Sequence, residues 1–212
     1  MIEVFRRVLV LSPHTDDGEF GAGGLIHRLV QVGACVDYVA FSGCEESVPQ
    51  GFPKNVLRSE VYAATTALGL PERHVKVLNF RVRRFGEARQ DILDALIALR
   101  AEIKPDLVLL PSVTDCHQDH QIIATEGLRA FKFLTRFHYE ISWNEQERNN
   151  NIYVSLSREN LDAKINAIEK YRSQRMRTYA SSEAITSLAR VRGVQSGVEF
   201  AEAFTVGRLF IR

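Results

Sequence analysis

Two unbroken apolar tetrads, Val8-Leu9-Val10-Leu11 and Leu107-Val108-Leu109-Leu110, most constrain the fold of this 212-residue chain. A strand with one face in water alternates apolar and polar residues. One that is apolar at every position needs cover on both faces, the condition of a central strand in a parallel sheet. Each tetrad leads into a polar segment: Pro13-His14-Thr15-Asp16-Asp17-Gly18-Glu19 after the first, and Asp115-Cys116-His117-Gln118-Asp119-His120 after the second.

Between and beyond the tetrads, strand and helix patterns alternate. A helical pattern opens at Gly21-Ala22-Gly23-Gly24 and runs through Leu25, Ile26, Leu29 and Val30 to Gly33. The pattern predicts strands over 36–41, 75–80, 106–111, 137–143 and 152–156, and an alternating final strand over 198–211. Further helices are predicted over 55–68, which Gly69-Leu70-Pro71 stops, and over 88–103, 121–133 and 160–171. This order implies an α/β, Rossmann-like three-layer sandwich: a mostly parallel central sheet with helices on both faces. No Gly/Ser/Pro-rich linker or charge run divides the chain, so residues 1–212 are expected to form a single domain. In the doubly wound order, strands 1 and 4 are neighbours where the winding reverses, and ligands bind outside their carboxyl ends. The two polar segments are therefore expected to meet. The segments 42–53, 80–86 and 143–151 are expected to shape the pocket, the first being longer than a usual strand–helix connection. Their aromatics Phe52, Phe85 and Trp143 suit either a sugar-stacking surface or the core.

Composition narrows the partners. A net charge of +1 gives no electrostatic reason to expect a nucleic acid or an anionic membrane. The basic clusters at 81–84 and 172–177 are short and read as solvated surface or local anion contacts. Three cysteines, odd in number and far apart, suit a reducing cytosol better than a disulfide framework. The apolar stretch before Pro13 is too short for a signal or membrane segment, and a cytoplasmic location is expected. The glycines at 21, 23 and 24 do not make a dinucleotide fingerprint, because Ile26 holds the third glycine position. They read instead as small residues that let the first helix pack closely.

The polar segments together hold three His and four Asp. Taken singly, each residue has an ordinary reading: His14 as a cap or core residue, Asp16 and Asp17 as helix-start carboxylates, His117 and His120 as surface. Taken jointly, they match a catalytic zinc, which keeps three protein ligands and one water position. His14, Asp17 and His120 make that set, and Asp16 and His117 remain as base and electrophile. Asp115 is available to support a ligand, and Cys116 reads as an inert loop thiol.

At these residues the chain resembles the PIG-L/LmbE-like deacetylases. His14-Thr15-Asp16-Asp17-Gly18-Glu19 is similar to the family's His-Pro-Asp-Asp-x-Glu, apart from Thr15. His117-Gln118-Asp119-His120 is similar to its His-Pro-Asp-His, apart from Gln118. Arg58-Ser59-Glu60, the run from Lys164 to Gln174, and Arg192-Gly193 with Ala201-Glu202-Ala203-Phe204 extend the likeness over nearly the whole chain. The resemblance implies His14, Asp17 and His120 as ligands of one zinc ion, with other divalent ions accepted. It implies Asp16 as general base, His117 as oxyanion stabiliser or acid oriented by Asp119, and Arg58 as a substrate contact. The implied activity is hydrolysis of the N-acetyl amide of an amino-sugar conjugate, a small molecule, by a homo-oligomer of the trimer or hexamer kind. Three alternatives remain: a zinc amidase for a thiol-sugar or other non-carbohydrate conjugate, a two-metal phosphoesterase, and a non-catalytic sugar-binding module. The phosphoesterase needs further paired carboxylates, and the binding module has no use for Asp16 and His117.

Overall fold

The computed structural model describes residues 2–145, 147 and 149–210. In chain order the main elements are β1 (Arg7–Ser12), α1 (Asp17–Gln31), β2 (Cys35–Ala40), α2 (Val56–Ala67), β3 (Val75–Val77), α3 (Arg89–Ile103) and β4 (Leu107–Pro111). There follow α4 (Gln118–Ala130), β5 (Thr135–Tyr139), β6 (Ile152–Leu156), α5 (Arg158–Glu169), α6 (Ser182–Ser196) and β7 (Phe200–Arg208). The strands form one sheet in the order β3-β2-β1-β4-β5-β7-β6. The first five strands run parallel to one another, and β7 is antiparallel to both β5 and β6.

Both tetrads are interior strands, as their apolar continuity requires. β1 and β4 pair directly, Val8 opposite Leu107 and Val10 opposite Leu109. Alternate residues feed two cores. Val8, Val10, Leu107 and Leu109 pack under α1, α2 and α5, with Leu25, Val61 and Leu161. Leu9, Leu11, Val108 and Leu110 pack under α3 and α4, with Ile92, Leu96 and Ile123. All eight tetrad residues are 0% exposed. At roughly 25 cal/mol per Å² of apolar surface, such strands anchor the fold and place its two polar segments side by side.

The structure moves several boundaries. α1 starts at Asp17, four residues before the predicted opening, so the first polar segment forms part of the helix's first turn. α4 starts at Gln118, because the His117 ring caps it by accepting the Asp119 N–H. Histidine is not a common capping residue, so the pattern points to a later start. β5 ends at Tyr139, which leaves Trp143 in a turn rather than in a strand. α6 carries no strong apolar stripe, since Ile185 and Ala189 are its buried apolar side chains, and the sequence pattern does not announce it. Ser181 caps its start and Gly197, at φ 75°, ends it. Residue 211 of the predicted final strand, and residues 146 and 148 of the segment 143–151, lie outside the described residues. Among the described residues no helix is long and apolar enough to cross a membrane.

The glycine cluster in α1 does bring the helix close to the sheet. A Cβ at Gly21 would run into the Tyr139 ring, and one at Gly24 into Leu156. In an ordinary helix, Gly→Ala stabilises by about 1 kcal/mol. At Gly21 the sign should reverse: overpacking against Tyr139 should cost about 1–3 kcal/mol in Gly21→Ala, read as a lower urea midpoint at unchanged m-value.

Candidate active site

The first turn of α1 is built by side chains rather than by a conventional cap. Ser12 Oγ donates to the His14 carbonyl at 2.6 Å and accepts the Gly18 N–H at 3.0 Å. The Asp17 carboxylate accepts the His14 N–H at 2.8 Å, which folds the segment back on itself. Beyond β4, Asp115 accepts the His117 N–H at 2.8 Å and so turns the chain into α4.

These two turns bring three donor atoms to one point. His14 Nδ1 lies 3.2 Å from Asp17 Oδ2, and His120 Nε2 lies 3.1 Å from the same oxygen. The two imidazole nitrogens are 3.2 Å apart. Each ring is held from behind by a carboxylate: His14 Nε2 meets Asp119 at 3.0 Å, and His120 Nδ1 meets Asp115 at 2.6 Å. Asp119 is itself fixed by the backbone N–H groups of Arg83, at 2.6 Å, and Phe85, at 3.3 Å. Arg83 adopts a left-handed φ of 65° to deliver that N–H, local strain of the kind found at functional sites. The expected role of Asp119 is to orient His117. Its carboxylate instead orients His14, and only its backbone N–H reaches the His117 ring. Asp115, unassigned from sequence, is the matching support for His120.

Donor spacing and charge both fit a metal ion. Tetrahedral ligands at 2.0–2.1 Å from zinc stand about 3.3–3.4 Å apart, close to the spacings of the His14, Asp17 and His120 donors. Three carboxylates surround the two rings. Burial opposes charge on both, yet Asp17 and Asp119 lift His14 to about 9, and Asp17 and Asp115 lift His120 to about 10. The same two rings outweigh burial at Asp17 and hold its carboxyl well below the usual range. The carboxylates thus draw positive charge to this point, and a divalent ion can replace the two ring protons without changing the net charge.

His117 has a different character. One of its ring nitrogens lies within 4.8 Å of a ring nitrogen of His14 and of one of His120. Burial first, then those two imidazoles, push it down to about 4. Its Nδ1 accepts an N–H, so the proton sits on Nε2. A neutral donor stands here, rather than an imidazolium.

The cleft over these groups measures about 330 Å³, and Asp16, Arg83, His117, Trp143, Arg177 and Tyr179 are among its lining. Asp16 is lifted to about 6 by burial and by Asp17, against the pull of His14 and Arg177. Trp143 and Tyr179 stack at 3.7 Å and 15°, with Phe20 edge-on to both. Of the three aromatics expected at the pocket, only Trp143 lines it. Phe52 is 41% exposed, and Phe85 is buried beneath His14. Arg58 is not among the lining residues either. It donates to Glu45 at 2.7 Å and Asn79 at 2.6 Å, tying the segment after β2 to the end of β3. The cleft arginines are Arg83 and Arg177, one from each short basic cluster, where the reading as local anion contacts was the available signal. Tyr179 had no such signal. Cys116 is exposed and outside the lining. Below the cleft, Glu19 is buried between the Tyr38 and Tyr171 hydroxyls and pushed by burial up to about 8.

The model of the PIG-L family, GlcNAc-PI de-N-acetylase, matches residues 9–131. No curated protein matches the chain in sequence. Among solved structures, a conserved protein from Thermus thermophilus, TT1542, is 25% identical, with a TM-score of 0.82 over 98% of this chain and 97% of that one. N,N'-diacetylchitobiose deacetylase from Pyrococcus horikoshii is 22% identical, with a TM-score of 0.80 over 95% of this chain and 84% of that one. GalB, the 4-carboxy-2-hydroxymuconate hydratase from Pseudomonas putida, is 20% identical, with a TM-score of 0.77 over 98% of both chains. The last two likenesses show the fold.

Carboxylates that hold ligand imidazoles typically contribute 10–100-fold in metal affinity. Asp115→Asn and Asp119→Asn should each weaken zinc binding by about that factor, in chelator competition, with the thermal transition retained. Unchanged zinc affinity in both would remove the assigned supporting roles.

Proposed function

The chain belongs to the PIG-L family, and from that premise we propose that it is a zinc-dependent deacetylase of N-acetylated amino-sugar conjugates. One observation carries the reading: His14, Asp17 and His120 converge beside two further groups, an acid–base carboxyl and a neutral imidazole, at the floor of one cleft. His14 Nδ1, Asp17 Oδ2 and His120 Nε2 would hold the ion. Bound there, zinc supplies a water of lowered pKa and polarisation of the acetamide carbonyl.

The remaining steps belong to the chain's own groups. Asp16, ionised above about 6, takes the proton of the attacking water on its carboxylate and returns it to the leaving amine. A base with a pKa just below neutral is suited to both transfers. His117 Nε2–H donates to the oxygen of the reacting carbonyl as negative charge grows on it; a neutral donor does this without a proton having to leave. Asp119 and Asp115 keep the rings of His14 and His120 from turning. The stacked face of Trp143 and Tyr179 offers an apolar platform to a sugar ring, and this supports an amino sugar over a small aliphatic amide.

An acetate-release assay over N-acetylated sugars and their conjugates, with bound metal quantified, tests the reading. Acetate should appear only with the metal present. No release from any of them by the zinc-loaded protein would reject a deacetylase of this class. Asp16→Asn should lower kcat by about 10²–10⁴ with zinc content unchanged. His117→Ala should lower kcat by about 10²–10³, again without loss of metal. The acid limb of kcat/KM should lie near pH 6, since Asp16 must be ionised and an ion that replaces the two ring protons leaves the positive charge beside it unchanged. A limb well above neutral would exclude Asp16 as the base.

A further inference from the structure

Away from the cleft, at the start of β2, three side chains of different chemistry share a corner of the surface. Cys35 and Asp37 are two residues apart on β2 and therefore lie on one face of it. His74 immediately precedes β3, whose Val75 pairs with Tyr38. His74 Nδ1 sits 2.8 Å from Asp37 Oδ1 and 3.7 Å from Cys35 Sγ, and the three donors lie within 4.8 Å of one another. The cleft lies beyond the carboxyl end of β1. Cys35 pairs with Arg7, at the other end of that strand.

We propose that Cys35, Asp37 and His74 form a second metal site, for a thiophilic divalent ion such as zinc, independent of the cleft. Zinc bound to sulfur at about 2.3 Å and to imidazole nitrogen at about 2.0 Å separates those atoms by about 3.6 Å. The 3.7 Å between Cys35 Sγ and His74 Nδ1 already satisfies this. Nitrogen and carboxylate oxygen on zinc stand about 3.3 Å apart. Asp37 therefore has to withdraw by only about half an ångström from its 2.8 Å hydrogen bond. Partly exposed side chains permit that motion, and at 24% and 21% exposure His74 and Asp37 also leave a path for the ion and room for a water ligand. The donor set of one sulfur, one nitrogen and one oxygen favours zinc or cobalt over magnesium or calcium, which take oxygen ligands.

A surface ion pair of Asp37 with His74 accounts for two of these residues. It does not account for a thiol at the same ring nitrogen. The location also gives such a site a mechanical role. β3 is the edge strand, three residues long, and pairs with β2 at three positions. Ligands from β2 and from the turn entering β3 make the ion a staple across that short pairing, and binding to the folded form alone stabilises it.

The test uses the metal-stripped full chain and its Cys35→Ser and His74→Asn variants, titrated with zinc and with cobalt. Cobalt should produce near-ultraviolet sulfur-to-metal absorption in the wild type that is lost in Cys35→Ser. Zinc affinity at this site should fall more than tenfold in both variants, while acetate release stays within about twofold of wild type. In a His120→Ala background, which removes a cleft donor, one zinc should still bind and then be lost on adding Cys35→Ser. If cobalt–thiolate absorption is absent from the wild type, or survives Cys35→Ser, the proposal is overturned. Cobalt absorption, zinc affinity and zinc stoichiometry do not involve the deacetylase reaction, so failure of that reading leaves this one standing, and the converse also holds.

Discussion

The first helix is broken in its middle, and the rest of the molecule is arranged around mending it. At Ala22 the backbone leaves helical geometry, with φ −145° and ψ 16°. The buried N–H groups of Gly24 and Leu25 are instead accepted by Glu202 of β7, at 2.9 and 2.7 Å. A buried carboxylate in turn requires a cation. Lys164 of α5 provides it at 2.7 Å and also donates to the Phe20 carbonyl on the other side of the break. Leaving either N–H unpaired would cost about 1–3 kcal/mol, and leaving the carboxylate alone would cost more. One carboxylate thus fastens the antiparallel end of the sheet and a helix from the second half of the chain onto the helix that carries Asp17.

The cleft repeats this logic with imidazoles. Asp119 and Asp115 each occupy one nitrogen of a histidine, which leaves the other nitrogen aimed at the Asp17 carboxylate. Each of these carboxylates is also tied to backbone N–H groups, so ring orientation is inherited from the main chain. Because the three carboxylates outnumber the two rings, the centre attracts positive charge. His117 stands beside them but is kept neutral by burial and by the two neighbouring imidazoles, and its Nδ1 takes an N–H. Two kinds of histidine arise within four residues at the start of α4 for this reason: one paired to a carboxylate, the other used as a helix cap.

Much of this was legible beforehand. Apolar tetrads read as central strands because continuous burial leaves no other option, and their adjacency followed from the winding order. The convergence of His14, Asp17 and His120 followed from that adjacency. The roles of Asp115 and Asp119 were not legible. Both lie in the same turn as His117 and His120, and sequence spacing does not say which carboxylate meets which ring. Arg58 misled because an arginine on α2 can reach toward the cleft or along the sheet edge, and Glu45 and Asn79 draw it along the edge. Arg83, Arg177 and Tyr179 arrive at the cleft from segments with no periodic pattern.

By itself the sequence determined which strands lie at the centre, that two His/Asp segments follow them, and the chemistry those side chains can perform. Local composition suffices for these, since burial on both faces and donor type are properties of residues. The tertiary structure alone decided which carboxylate supports which imidazole, which protonation state His117 takes, and which aromatics and arginines face the cleft. Each of those depends on distances of about 3 Å between residues far apart in the chain, and hydrogen bonds and charges weaken steeply beyond that range.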